Sequence, residues 1–250
     1  MKTILITGCS SGFGLDIARY FLDRDWQVIA TMRTPRADIL PASDQLRILP
    51  LDVTDPESIR KAIDAAGPID ALVNNAGIGT AAPFELTTPA QARDLFETNT
   101  IGTMAMTQAV LPQFRQRRDG VIVNVTSSVT LKPLPLVSVY TASKAAVNAF
   151  TESMAIELEP WNIRARLVLP GRSPETRFGE NAHAQGRTQG LDHEAYAELA
   201  QRMFAEMASE SGPVTYSKDV AEATWRAVTD ADAPMRLAAG EDAVALAKVA

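Results

Sequence analysis

Short apolar runs alternate along the chain with longer stretches in which apolar residues recur every three or four positions. Thr3–Thr7, Gln27–Met32, Leu46–Leu51, Asp70–Asn74, Val121–Val125 and Arg164–Leu169 read as six strands. Helical patterns fall between them around Leu15–Arg24, Ala90–Asn99, Thr103–Arg117 and Val139–Glu159. A further helix opens with Asp55 as N-cap and Pro56 at its first position. Strands that alternate with helices imply βαβ units, hence a parallel sheet. Ala71-Leu72-Val73 is apolar without alternation, as suits a strand covered on both faces. The expected architecture is α/β, a doubly wound parallel sheet in three layers α/β/α.

No repeat or linker divides the chain, so residues 1–250 are expected to form a single domain. The least regular stretch is Gly171–Gly190, rich in Arg, Gly, Asn and Gln. After it Leu191, Ala195, Leu199, Met203 and Met207 fall every four residues, one stripe of an amphipathic helix with Asp192 as its cap. Such a stripe packs on a core or closes over a site. Its place after an irregular loop makes residues 171–215 a candidate lid, in which Arg172, Arg177 and Arg187 accompany the apolar stripe.

Composition narrows the classes. Hydrophobic residues make up 46% and charged residues 22%, the balance of a globular protein rather than a disordered one. The lone Cys9 and the two histidines, His183 and His193, leave no disulfide framework and no zinc site built from several such ligands. Cys9 reads as a small filler, the histidines as solvated side chains on the lid, and Asp70 as a turn residue. A net charge of −6 argues against nucleic acid as a partner. No apolar run approaches the ~20 residues of a membrane span. The first strand meets Gly8 at once and is too short for a signal peptide, so a reducing cytoplasm is expected. Asn124-Val125-Thr126 fits a glycosylation sequon, but its strand context marks a chance match.

Two stretches carry candidate chemistry. Gly8-Cys9-Ser10-Ser11-Gly12-Phe13-Gly14 lies between the first strand and the first helix. Its glycines permit a tight turn and close approach of a ligand, and the helix N-terminus behind them suits a pyrophosphate. Spaced G-x-x-x-G-x-G rather than the commoner G-x-G-x-x-G, it reads as a phosphate loop of the Rossmann type or as a glycine-rich turn that binds nothing. The second strand ends Ala30-Thr31-Met32-Arg33, without the carboxylate that an NAD site places on the ribose 2′-hydroxyl. Arg33 suits a 2′-phosphate instead and Ser11 offers a hydroxyl, so NADP(H) is expected, with NAD(H) as the alternative.

Tyr140 and Lys144 stand at i and i+4 near the start of a long helical pattern, so they share one face. An ammonium beside a phenol stabilises the phenolate, and the pair can exchange a proton with an alcohol or carbonyl oxygen. A bare Y-x-x-x-K is also an ordinary surface pair. Here the strand Val121–Val125 ends in Thr126-Ser127-Ser128, and strand C-terminal ends line the ligand crevice of a parallel sheet.

Taken together these residues resemble the short-chain dehydrogenases/reductases over nearly the whole chain. Thr7–Gly14 looks like the family's cofactor loop, Asp52-Val53 like its adenine-binding dipeptide, and Asn74-Asn75-Ala76-Gly77 like its N-N-A-G. Asn99 matches the helix asparagine, and Pro170-Gly171 the pair that borders the nicotinamide. Ser127 precedes Tyr140 by the family's thirteen positions, whereas Ser128 is one place too close. Arg33 resembles the NADP-preferring members, in particular the branch of 17β-hydroxysteroid and retinol dehydrogenases.

The resemblance implies an NADP(H)-dependent oxidoreductase that interconverts a carbonyl and an alcohol. Tyr140 would be the acid–base, Lys144 would lower its pKa and bind the ribose, and Ser127 would orient the substrate oxygen. Asn99 would hold a proton-relay water through its backbone carbonyl. Gly8, Ser10, Ser11, Gly12, Phe13, Gly14, Arg33, Asp52, Val53, Asn75, Ala76, Gly77, Tyr140, Lys144, Pro170 and Gly171 would line the cofactor. The family's carboxamide-binding threonine stands four residues beyond the glycine; here Thr176 is one residue late, so the contact falls to Thr176 in a bulged loop or to Ser173. A homodimer or homotetramer is implied, with the Val139–Glu159 helix as a possible interface. An NAD-dependent alcohol dehydrogenase and a non-catalytic dinucleotide sensor on the same fold are the competing functions.

Overall fold

The computed structural model describes residues 1–250 except Arg177, residues 209–211 and residue 250, and the side chains of residues 207 and 208. Its sheet is built from β1 (Thr3–Ile6), β2 (Gln27–Met32), β3 (Leu46–Pro50), β4 (Ala71–Asn74), β5 (Gly120–Val125), β6 (Ile163–Pro170) and β7 (Arg236–Ala239). The strands run parallel in the order β3-β2-β1-β4-β5-β6-β7. The order reverses between β1 and β4, and the loops leaving neighbouring strands diverge there into a crevice. That crevice gathers the loops after β1, β4, β5 and β6, where the candidate chemistry lies.

Alternate strand residues feed opposite faces. Ile4, Ile6, Val28, Ala30, Val73 and Val123 pack beneath α1 (Gly12–Leu22) and α8 (Ser217–Thr229). Leu5, Ile29, Leu72 and Ile122 pack on the other side with Ile59 of α2 (Pro56–Ala66), Met106 and Phe114 of α4 (Gly102–Arg117), and Met154 of α5 (Ser138–Leu158). The three-layer α/β/α arrangement read from the pattern is therefore the observed one. Phe21, Trp26 and Trp225 form an edge-on aromatic group that fastens α1 to α8.

Local sequence explains the helix starts. Asp55 accepts from the Glu57 N–H at 2.9 Å, with Pro56 in the first turn, as its residue types predict. Thr88 and Gln91 form a capping box that opens α3 (Pro89–Phe96). The helical pattern expected to end at Asn99 changes character earlier: Glu97–Ile101 is a π-turn running straight into α4. Asn124 is fully buried in β5, bonded to Asn74 and Thr151, so the sequon is no acceptor.

Three expectations need correction. The stretch Gly171–Gly190 contains a helix, α6 (Phe178–Ala184). The amphipathic helix behind it, α7, spans Ala197–Ala208 and starts later than its stripe suggests. Asp192 does not cap it: residues 191–196 are turns, in which the His193 ring accepts from the Ala195 N–H at 3.2 Å. Leu191, Leu199 and Met203 pack with Ala200 against Leu136, whereas Ala195 is exposed. Arg177 and the Met207 side chain lie outside the described residues. Finally β7, α8 and α9 (Glu241–Ala247) have no counterpart in the pattern reading. β7 reads Arg-Leu-Ala-Ala, helix-forming residues that pairing with β6 turns into a strand.

Candidate active site

Gly8 and Gly12 turn the chain after β1 with φ of +75° and +58°, a region that glycine enters without steric cost. Gly8 also abuts the loop after β4: a Cβ there would stand 2.8 Å from the Ala76 Cα. Asn75 ties the two loops together. Its Nδ2 donates to the Thr7 carbonyl at 2.9 Å and to the Gly8 carbonyl at 3.2 Å. The Thr7 hydroxyl in turn accepts from the Asn75 and Ala76 N–H groups at 3.0 and 2.9 Å. Ser11 occupies the N-cap position of α1, yet its side chain makes no capping bond. Phe13 is half-buried and packs against the core. Cys9 is fully buried and its thiol is pushed up to about 12 by burial, the behaviour of a filler.

Arg33 is exposed at the end of β2. Arg36, which the sequence reading passed over, donates from its guanidinium to the Ser10 carbonyl at 2.6 Å. The Asp52 carboxyl is held below the usual range, chiefly by the Thr54 N–H, with the Thr54 hydroxyl and the Arg33 charge assisting against burial. Val53 packs on Gly102, the first residue of α4.

Tyr140 and Lys144 occupy the first two turns of α5, and both are buried. Ser127 leaves β5 in extended backbone, and its hydroxyl accepts from the Val129 N–H at 3.3 Å. Lys144 Nζ donates to the Val125 carbonyl at 3.1 Å and stands 6.0 Å from the Tyr140 ring centroid. A Cβ on Gly77 would lie 3.2 Å from Asn99 Oδ1 and 3.3 Å from Lys144 Nζ. Gly77, Asn99 and Lys144 thus meet at one point. The Asn99 amide is fixed there: Oδ1 accepts from the Ile78 N–H at 2.8 Å, and Nδ2 donates to the Ile78 carbonyl and the Ser143 hydroxyl at 2.9 and 3.1 Å. The Asn99 carbonyl accepts from the Thr103 hydroxyl at 2.9 Å.

Burial sets the electrostatics of this pair. It pushes the Tyr140 phenol up to about 12, opposed by a hydrogen bond with the Ser127 hydroxyl. It pulls the Lys144 ammonium down to about 8. Burial thus favours the neutral form of both groups.

The β6 end is held by residues that the pattern reading did not single out. Gly171 N–H donates to the Thr215 hydroxyl at 2.9 Å, and Arg172 N–H to Asp242 Oδ2 at 2.6 Å. Thr215 Oγ1 lies 2.7 Å from Asp242 Oδ1. A Cβ on Gly171 would fall on the Asp242 carboxylate. No local signal links Asp242 to a loop 70 residues upstream. In that loop Ser173 Oγ is buried without a hydrogen-bond partner, while the Thr176 hydroxyl donates to the Ser173 carbonyl at 3.0 Å. The Thr176 side chain lies 3.7 Å from where a Gly12 Cβ would be.

These residues fit a dinucleotide. The first turn of α1 without a side-chain cap, the Ser11 side chain that makes no capping bond, and the orphaned Ser173 hydroxyl belong to the β1 and β6 loops that border the crevice. No helix among the described residues is long and apolar enough to cross a membrane.

A family model described as short chain dehydrogenase matches residues 2–186. An uncharacterized oxidoreductase of Bacillus subtilis, YusZ, is 38% identical over 82% of this chain and 76% of its own. A 3-ketodihydrosphingosine reductase of Bacteroides thetaiotaomicron is 33% identical over 96% of this chain and 88% of its own. Human retinol dehydrogenase 8 is 39% identical over 68% of this chain, which spans 58% of that protein. Among solved structures, a short-chain dehydrogenase from Streptomyces avermitilis superposes with a TM-score of 0.84 at 33% identity, covering 99% of this chain and 91% of that one. One from Burkholderia cenocepacia, in complex with NADP, gives 0.78 at 25% identity, covering 99% and 93%.

Proposed function

The chain belongs to the short chain dehydrogenase family, an NAD(P)-dependent oxidoreductase, and on that premise we propose that it reduces a carbonyl compound to an alcohol with NADPH. The observation that carries this reading is the meeting of Ser127, Tyr140 and Lys144 at the mouth of the β5–α5 loop, with the phenol kept protonated by burial. When bound, the reduced nicotinamide supplies the hydride. Tyr140 donates its proton to the substrate oxygen, and Ser127 gives that oxygen a second hydrogen bond as negative charge grows on it. Lys144 binds the ribose hydroxyls and, with its amine drawn down to about 8, takes up and passes on the proton that Tyr140 must regain. Asn99 fixes Ile78 and Ser143 beside this amine, and its carbonyl is the site for a relay water.

The preference for NADPH rests on charge. The end of β2 offers no carboxylate, and Arg33 is exposed there. Arg36 braces the glycine loop at the Ser10 carbonyl. Arg187 is lowered by burial and then by the charge of Arg33, a like-charge pair that an anion between them would relieve. The NADP complex of the Burkholderia relative is in keeping. Ser173 takes the carboxamide contact, because its buried hydroxyl has no partner whereas that of Thr176 donates to the loop's own backbone. Residues 171–215 act as the lid.

The test is NADPH and NADH oxidation by the full chain with a panel of ketones and aldehydes, repeated with Arg33→Glu. Wild type should turn over with NADPH, and the variant should lose that preference. Turnover with neither cofactor on any carbonyl would refute the reaction. An unchanged preference in the variant would refute 2′-phosphate recognition by Arg33.

A further inference from the structure

Phe178 opens α6, and its ring stands over Tyr140 with centroids 5.7 Å apart and planes at 57°. The same ring fills the space above Gly79, where a Cβ would come within 2.7 Å of its Cζ. Any side chain at position 79 would therefore drive the ring off the phenol. Phe178 is 41% exposed, an unusual state for a large apolar side chain that borders a reacting group. On its other sides Tyr140 packs with Leu95 and Val139, and with Ile78, Val129 and Val137 at the edge of that cluster.

The segment that carries Phe178 is docked along the loop after β4. The Thr80 hydroxyl and the Ala81 N–H both donate to the Arg187 carbonyl, at 2.6 and 3.3 Å. The Tyr196 hydroxyl donates to Glu85 at 2.5 Å. Gly190, with φ +68°, lies on Leu86, and a Cβ there would meet the leucine side chain. These contacts hold the ring in register with Gly79 without burying it.

We propose that Phe178, seated through the gap that Gly79 leaves, is the specificity-determining residue of the carbonyl site. Its ring roofs the phenol and forms the wall on which the arm beside the substrate carbonyl packs. The site therefore takes ketones or aldehydes that carry a flat or branched apolar arm, and discriminates against small hydroxylated ones. This rests on the proposed carbonyl reduction and specifies its substrate class.

The experiment uses Phe178→Ala, Gly79→Ala and the double variant, with NADPH and two probes, acetophenone and hydroxyacetone. Each single variant should lower the ratio of kcat/KM for acetophenone to that for hydroxyacetone about tenfold, mainly through the KM of acetophenone. The double variant should be no worse than Phe178→Ala, and Phe178→Leu should recover part of the loss. A Gly79→Ala cost that persists without the ring, or equal losses on both probes, would overturn the proposal. A second arm needs no turnover: tyrosine labelled with 13C at Cζ is titrated by NMR, with Tyr140→Phe to assign the signal. The Tyr140 phenol should ionise at lower pH in both single variants, because water then reaches it. Identical titrations in wild type and variants would remove the roof. Failure of wild type on every carbonyl would instead fall on the proposed reaction, since this arm reads the ring alone.

Discussion

The two ends of the crevice are held in opposite ways. At the β1 end, Thr7, Gly8, Gly14 and Asn75 lock together within the exits of two adjacent strands, and the glycines make room for backbone to meet backbone. At the β6 end the loop hangs from Thr215 and Asp242, residues contributed by the last quarter of the chain. The first arrangement is rigid because almost nothing in it can yield. The second depends on one carboxylate and one hydroxyl, and adjoins the segment proposed as the lid. An enzyme that must hold a dinucleotide in fixed register while a substrate enters beside it is served by this division.

The largest effect should come from Gly14→Ala. Its Cβ would stand 2.5 Å from Asn75 Nδ2, with the Gly8 carbonyl directly beside it. Chemical denaturation should show a loss of about 3 kcal/mol, with dinucleotide binding abolished. A variant of native stability that still binds would show that the β1 end is not rigid. Next is Lys144→Met, which probes the centre between the two ends. Burial draws this amine from 10.5 to about 8, so the charged form that dominates at pH 7 opposes folding. The wild type should therefore gain stability as pH rises from 8 towards 10.5, by up to about 3 kcal/mol. The Met variant should lack that rise and be the more stable protein at pH 7. A variant that is less stable at pH 7, with the rise intact, would contradict the assignment. The smallest effect is expected of Asp242→Asn, which presents an amide N–H to one of the two donors now facing the carboxylate. Calorimetry should find NADPH bound about tenfold more weakly, a cost near 1.4 kcal/mol, with the affinity for 2′,5′-ADP unchanged. A parallel loss for both ligands would mean that Asp242 supports the whole fold rather than the nicotinamide end.

This contrast also separates what the sequence made legible from what it did not. Gly8–Gly14, Asn74–Gly77 and the Tyr140–Lys144 spacing are consecutive or one helical turn apart, so their geometry is written locally. The strands β1, β2, β4 and β5 announced themselves because they are buried almost throughout, on both faces. Thr215, Asp242 and the Gly79–Phe178 fit depend on chain segments that meet only after the sheet is complete. The short β7 has no strand-forming residues of its own and exists because β6 offers it an edge. The start of α7 was misplaced because the stripe from Leu191 continues through turns that bond to themselves at His193. The Tyr140–Lys144 spacing is legible in one helical turn, whereas the burial that raises the phenol comes from segments distant in the sequence.

The central claim is that the Tyr140 phenol delivers the proton to the substrate oxygen. Single-turnover reduction of a ketone by NADPH-loaded wild type and Tyr140→Phe tests it most directly. Removing only the hydroxyl should slow the step by about a thousandfold while NADPH affinity is retained. A Phe variant that reduces the ketone at a rate close to wild type would contradict the account.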